Sequence, residues 1–133
     1  MKMQKQYETY QQNSVLTASP GELTLMLYNG CLKFIHQAQK AIQEKNIEVK
    51  HINITKAQNI LSELISTLNY DYSISSEMRR LYDYMISRLV EANIKNDSLI
   101  LKEVEEMITE FRDTWKEVLV INRKKQYNSN GLV

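Results

Sequence analysis

The chain reads as all-α: an antiparallel up-down-up-down four-helix bundle with an N-terminal arm. Three observations predict this. Its 133 residues include one Pro and three Gly, fewer than strands and tight turns require. Four segments repeat apolar residues at the helical period. The joints between them look short, which sets successive helices antiparallel. A chain of this length makes one domain with a real core. The expected division is an arm or cap over residues 1–18, the bundle over 19–125 and a frayed polar tail over 126–133.

The first helix starts at Ser19-Pro20-Gly21-Glu22. Ser19 can accept from a backbone N–H of the first turn, and Pro20 fits the first helical position. Glu22 can reach back to the N–H of Ser19. The stripe behind this start carries Leu23, Met26, Leu27, Gly30, Cys31, Phe34, Ala38, Ala41 and Ile42. The joint near Glu44 to Glu48 is weak, with Asn46 its only turn-former, and Ile47 and Val49 could continue a helix.

The second helix carries Ile54, Ala57, Ile60, Leu61, Leu64, Ile65 and Leu68. Asn69 to Ser75 forms the next joint and ends in serines that could cap. The third carries Met78, Leu81, Tyr82, Met85, Ile86, Leu89 and Val90. Asn96-Asp97-Ser98 then makes a short turn with a good N-cap candidate. The fourth carries Ile100, Val104, Met107, Ile108, Phe111, Trp115, Val118 and Leu119.

The stripes differ in width. Apolar positions of the fourth helix fall within roughly 100° of arc, those of the first and third over roughly 180°. Trp115 and Phe111 lie mid-stripe on the narrow one, where burial should be most complete. On the third helix Leu81 and Ala92 lie on one flank, Ile86 and Val90 on the other. Either that helix is the most buried one, or its excess apolar surface is covered by the arm or offered to a partner. Tyr7, Tyr10, Val15 and Leu16 make the arm apolar enough to serve as cover.

Composition excludes several functions. The net charge is +1 with both signs interspersed, so there is no footprint for DNA or RNA. No apolar run approaches the ~20 residues of a membrane span. The N-terminal Met1-Lys2-Met3-Gln4 lacks the apolar core of a signal peptide. Cys31 is the one cysteine, cannot form an internal disulfide and suits a reducing compartment. A cytoplasmic location follows as the expectation.

Chemistry-bearing patterns are few. Glu48-x-x-His51 has the spacing of carboxylate-bridged metal sites in bundles, but a second copy is missing because Lys33 stands three residues before His36. His51 reads as a boundary residue near the second helix start. His36 lies opposite Leu27 and Phe34 and should face solvent. A phosphotransfer role for it would rest on fold analogy, and its surroundings lack a His-x-x-Lys-Gly pattern. Cys31 lies on the core stripe and packs as a small hydrophobe. Gly30 costs its helix about 1 kcal/mol against Ala. That cost is either tolerated or reflects close approach of the arm or a crossing helix, and the second reading is preferred. No cofactor and no metal are expected, and the chain reads as a binding protein rather than an enzyme. Tyrosine numbers eight; Tyr7, Tyr10, Tyr28, Tyr70, Tyr72 and Tyr84 fall off the stripes or in loops, which leans toward a binding surface.

Further stretches carry a family pattern. They are Tyr7-x-x-Tyr10-x-x-Asn13-Ser14-Val15, Thr17-Ala18-Ser19-Pro20-Gly21-Glu22-Leu23 and Met26-Leu27-Tyr28-Asn29-Gly30. Later come Lys56-Ala57-Gln58-Asn59-Ile60, Leu81-Tyr82-Asp83-Tyr84-Met85 and Asn93-Ile94-Lys95-Asn96-Asp97. Together they resemble the flagellar secretion chaperone family FliS over nearly the whole chain. The resemblance implies a cytosolic chaperone that holds the disordered C-terminal region of flagellin, prevents premature polymerisation and delivers it to the flagellar type III export apparatus. It also implies that the arm lies over part of the client surface and yields to it. Other flagellar regulators are possible further partners. The resulting partner-binding set is Tyr7, Tyr10, Val15 and Leu16 on the arm with Leu81, Ile86 and Val90 on the third helix. The alternative is a helical adaptor that binds a folded regulatory partner or itself.

Overall fold

A computed structural model of the chain describes residues 19–131, with side chains as far as Tyr127. The expected arm residues Tyr7, Tyr10, Val15 and Leu16 lie outside the described residues. The described chain forms α1 (Pro20–Gln43), α2 (Ile47–Ser66), α3 (Ile74–Lys95) and α4 (Ser98–Gly131). Each helix packs on the next and α4 closes back on α1, an all-α four-helix arrangement.

Side-chain bonds fix the directions. His36 and Gln39 reach Glu105, while Trp115 reaches Gly21, so α1 and α4 run antiparallel. Lys50 and His51 at the start of α2 meet Asn93 near the end of α3. Tyr84 and Arg88 meet Glu103 across the short α3–α4 turn.

The helix starts are set locally. Ser19 Oγ accepts from Glu22 N at 3.2 Å, with Pro20 in the first helical turn. The Glu22 carboxylate turns to Arg123 at 3.7 Å rather than back to Ser19, tying α1 to α4. The first joint is three residues long and has two signals. Lys45 adopts a left-handed φ of 57°, and Asn46 Oδ1 accepts from Val49 N at 3.1 Å. Ile47 and Val49 therefore belong to α2. At the next joint Ser73 makes no side-chain cap, whereas buried Ser75 donates to the Asn69 carbonyl at 2.5 Å and ties the loop down. Asn96 ends α3 with φ 52°, and Asp97 Oδ1 accepts from Leu99 N at 2.9 Å. α4 continues through the polar residues beyond 125 to Gly131.

The core joins Cys31, Ile35, Ala38, Ile54, Ala57, Leu61, Met85, Leu89, Leu101 and Val104, all sealed from solvent. Two expectations change here. Tyr28, placed off the stripe, is 2% exposed, and Leu32 and Ile35 are buried with it. α1 packs against both α2 and α4, so its buried face is turned from the Leu27–Phe34 stripe toward Ile35. Trp115 and Phe111 are only half-buried; complete burial on α4 lies at Leu101, Val104 and Ile108. The reason is the length of the neighbours: α2 stops at Ser66 and α3 begins at Ile74, so Trp115 faces the first turn of α1 and donates to the Gly21 carbonyl at 2.8 Å.

Phe111 has a particular role. Tyr28 and Tyr82 hydrogen-bond through their hydroxyls at 2.7 Å across the core. Both rings meet Phe111 edge-on, at 6.3 Å and 5.9 Å between centroids. Gly30 has a physical reason too. A Cβ there would meet Ile60 Cδ1 at 3.3 Å, so the close neighbour is a side chain of the adjacent helix rather than another backbone.

Candidate functional site

α3 carries more apolar residues than the core can take, and the structure shows where the excess goes. Tyr82, Met85, Leu89 and Ala92 are sealed, but Leu81 and Ile86 are only half-buried and Val90 is 42% exposed. α3 is therefore not simply the most buried helix. The three residues do not form one patch. Leu81 stands three residues before Tyr84, which faces α4. Ile86 and Val90 stand seven and three residues before Asn93, whose side chain faces α2 through His51 at 2.9 Å. At helical spacing Leu81 thus lies on the α4 flank, Ile86 and Val90 on the α2 flank.

The two flanks differ in chemistry. The α4 flank is closed by ions. Glu103 accepts from Arg88 at 2.7 Å and from Tyr84 at 3.1 Å; Glu91 accepts from Arg88 at 2.5 Å and from Lys95 at 2.7 Å. Donation from Lys95 holds the Glu91 carboxyl below the usual carboxylate range against its partial desolvation, and Arg88 adds to the effect. The α2 flank is bridged at its upper end by contacts from Lys50 and His51 to Asn93, and lower down Ile86 and Val90 lie on it beside Ile65. α2 sends His51, Gln58 and Ile65 along this side at seven-residue intervals, and Ile65 packs half-buried on the core.

Ile94 continues the spacing of Ile86 and Val90. Ile86, Val90 and Ile94 form an i, i+4, i+8 row. Each four-residue step turns about 40° further from the core. Exposure rises along the row from half-buried Ile86 through 42% at Val90 to 77% at Ile94. The signal was present as a spacing, and Ile94 extends the notable flank by one turn. The remaining predicted residues, Tyr7, Tyr10, Val15 and Leu16, cannot be brought into this geometry because they lie outside the described residues.

The groups with reactive potential sit elsewhere. Cys31 is fully buried, donates weakly to the Ala57 carbonyl, and desolvation pushes its thiol up to about 12. His36 is exposed and bound to Glu105 at 2.6 Å. Burial raises the Glu105 carboxyl, but donation from Gln39, His36 and Lys102 outweighs it and holds the group below the usual range. Glu48 and His51 are both exposed on α2, and His51 is engaged with Asn93. Among the described residues no three His, Cys, Asp or Glu side chains are grouped to hold a metal ion. No described helix is long and apolar enough to cross a membrane.

The family model for the flagellar protein FliS matches residues 3–122. The chain is 54% identical over 132 residues to the flagellar secretion chaperone FliS of Bacillus subtilis, covering 99% of each. It is 36% identical over 118 residues to the flagellar secretion chaperone FliSB of Pseudomonas aeruginosa, covering 86% of this chain and 94% of that one. With FliS of Escherichia coli it shares 32% over 113 residues, 82% of each. A solved flagellar chaperone from bacteria superposes with a TM-score of 0.71 at 18% identity, over 90% of this chain and 98% of that one, which speaks for the fold. This chain belongs to the FliS family of flagellar proteins.

Proposed function

We propose that the chain is a cytosolic flagellar export chaperone that binds the disordered C-terminal region of flagellin. It keeps that region from polymerising and delivers it to the export apparatus. Its work is binding, without a catalytic step. Family membership supports the class of function. The observation that carries the binding mode is the α2 flank of α3, where exposed Val90 and the solvent-facing parts of half-buried Ile86 and Ile65 present apolar surface beside one another. An amphipathic client segment can lay its apolar face along such a groove and become helical there. Burial spread over a long surface offsets the entropy of ordering it.

Tyr7, Tyr10, Val15 and Leu16 of the arm compete with the client for this surface in the proposed mechanism. The test is hydrogen exchange together with circular dichroism on the full chain and a flagellin C-terminal peptide. Amides around Tyr7 to Leu16 lose protection on binding, and the peptide gains helix. Unchanged protection of the arm at saturation refutes the competition. Binding without any gain of helix in the partner favours the adaptor reading.

A further inference from the structure

A cleft of about 570 Å³ lies between the first turn of α1 and the late turns of α4. Ser19, Pro20 and Gly21 line one side, Trp115, Leu119 and Gln126 the other. The two sides are held together. Trp115 donates to the Gly21 carbonyl at 2.8 Å, and Arg123 pairs with Glu22 at 3.7 Å. Gly21 permits the close approach, because a Cβ there would stand 2.7 Å from Leu119 Cδ2. Trp115 and Leu119 are both half-buried and give the cleft apolar surface. The Gln126 amide adds a donor and an acceptor.

Ser19 itself lines the cleft, so the chain ahead of it starts there. Ser19 has extended backbone, with φ −65° and ψ 161°. α1 and α4 run antiparallel, so the chain traced back from α1 faces the later turns of α4. Residues 1–18 carry two branched aliphatic side chains, Val15 and Leu16. By the reach of an extended chain, Leu16 stays within about 11 Å of Ser19, and Val15 within about 14 Å. Trp115 and Leu119 are apolar surface at that tether's root. A segment tethered at the edge of its own site competes at millimolar effective concentration, which favours it over a separate peptide.

We infer that this cleft seats the chain's own Leu16, against Trp115 and Leu119, in the client-free protein. The seat gives the arm a fixed root. In an extended segment Leu16 shares a face with Ala18, and Val15 points the other way with Thr17. Tyr7 and Tyr10 extend from this root, and the arm moves as one unit, so displacing the tyrosines loosens Leu16. The seat itself does not rest on the client reading, because every group in it belongs to this chain.

Trp115 is the one tryptophan and lines the cleft, so its fluorescence reports the seat directly. Leu16→Asp shifts Trp115 emission to the red and raises its quenching by acrylamide. Val15→Asp, with the same charge on the opposite face, has the smaller effect. A second measurement keeps Leu16 intact. A nitroxide on Gln126→Cys broadens the Leu16 methyl signals, and one on Val90→Cys does not; Cys31 is sealed, so the label goes to the introduced thiol. Unchanged Trp115 emission and quenching in Leu16→Asp, or an equal effect of Val15→Asp, would overturn the seat. So would sharp Leu16 signals with the Gln126 label, broadening from the Val90 label, or broadening that depends on protein concentration and so assigns the segment to a second copy. All of these are read without flagellin, so the seat can fail while flagellin binding persists.

Discussion

The hydroxyl pair of Tyr28 and Tyr82 offers the sharpest test of the core. The two residues come from helices that do not follow one another, and both are 2% exposed. Among the described residues each hydroxyl has the other as its polar partner, at 2.7 Å. Changing Tyr82 to Phe removes one hydroxyl and leaves the other buried and unpaired. That penalty is about 1–3 kcal/mol, and Tyr28→Phe should cost a similar amount. Removing both hydroxyls leaves two rings of unchanged shape still edge-on to Phe111, so the double variant should be nearly neutral. The cycle is read from urea melts of the four proteins at neutral pH, with equal m-values required. An additive double variant would refute the account, because it would mean that each hydroxyl finds water. Alkaline pH gives an independent check. Burial raises both phenols, with the partner hydroxyl opposing it at Tyr28 and reinforcing it at Tyr82. A raised folded value means stability is full below the ordinary phenol value of 10.0 and falls as pH rises above it. The double Phe variant should lose that alkaline slope.

Other expectations follow from single contacts. Asn46→Ala removes the side-chain cap of α2 and should cost about 0.5–2 kcal/mol in a chemical melt, whereas a loss near zero would mean the left-handed Lys45 turn alone holds the joint. Leu101→Ala empties a fully sealed core position and should cost about 2–5 kcal/mol by the same assay. Trp115→Ala should cost less than the ~3–5 kcal/mol of a fully buried aromatic, since the ring is half-buried. Glu105 has a lowered folded value, so its contribution is present above the ordinary 4.5 and is lost as pH falls through the folded value. Glu105→Gln should therefore be less stable than the parent at neutral pH and converge with it in acid, and parallel curves would exclude the ion pair as the cause.

The local parts of the fold were legible because their causes are local. Ser19, Pro20 and Asn46 act on their own first turns, and the seals at Cys31, Ala57 and Leu89 follow from spacing alone. What spacing could not show depends on neighbours. Tyr28 was placed outside because the centre of a wide stripe is ambiguous until two packing partners are known. Trp115 was placed too deep because its burial depends on where α2 ends and α3 begins, far away in sequence. On α3, spacing puts Leu81 and Ala92 on one flank and Ile86 and Val90 on the other, but it does not show that Ala92 is sealed in the core. Only the contacts of Glu103 and His51 reveal which neighbour each flank faces, α4 across an ion pair on one side and α2 on the other. Lys50 escaped notice because a lysine early in a helix looks like a solvent residue until the end of α3 is found above it.

The central claim is that the α2 flank of α3 receives the client. It is tested most directly by the affinity of the full chain for a flagellin C-terminal segment, measured by calorimetry on Val90→Glu. Val90 is 42% exposed, so the substitution leaves the core intact. Leu99→Glu, on the first turn of α4 and 79% exposed, is the control. The account predicts that Val90→Glu weakens binding by about tenfold or more, near 1.4 kcal/mol, and that Leu99→Glu does not. Equal affinity of Val90→Glu and the parent chain, with both folded, would contradict it.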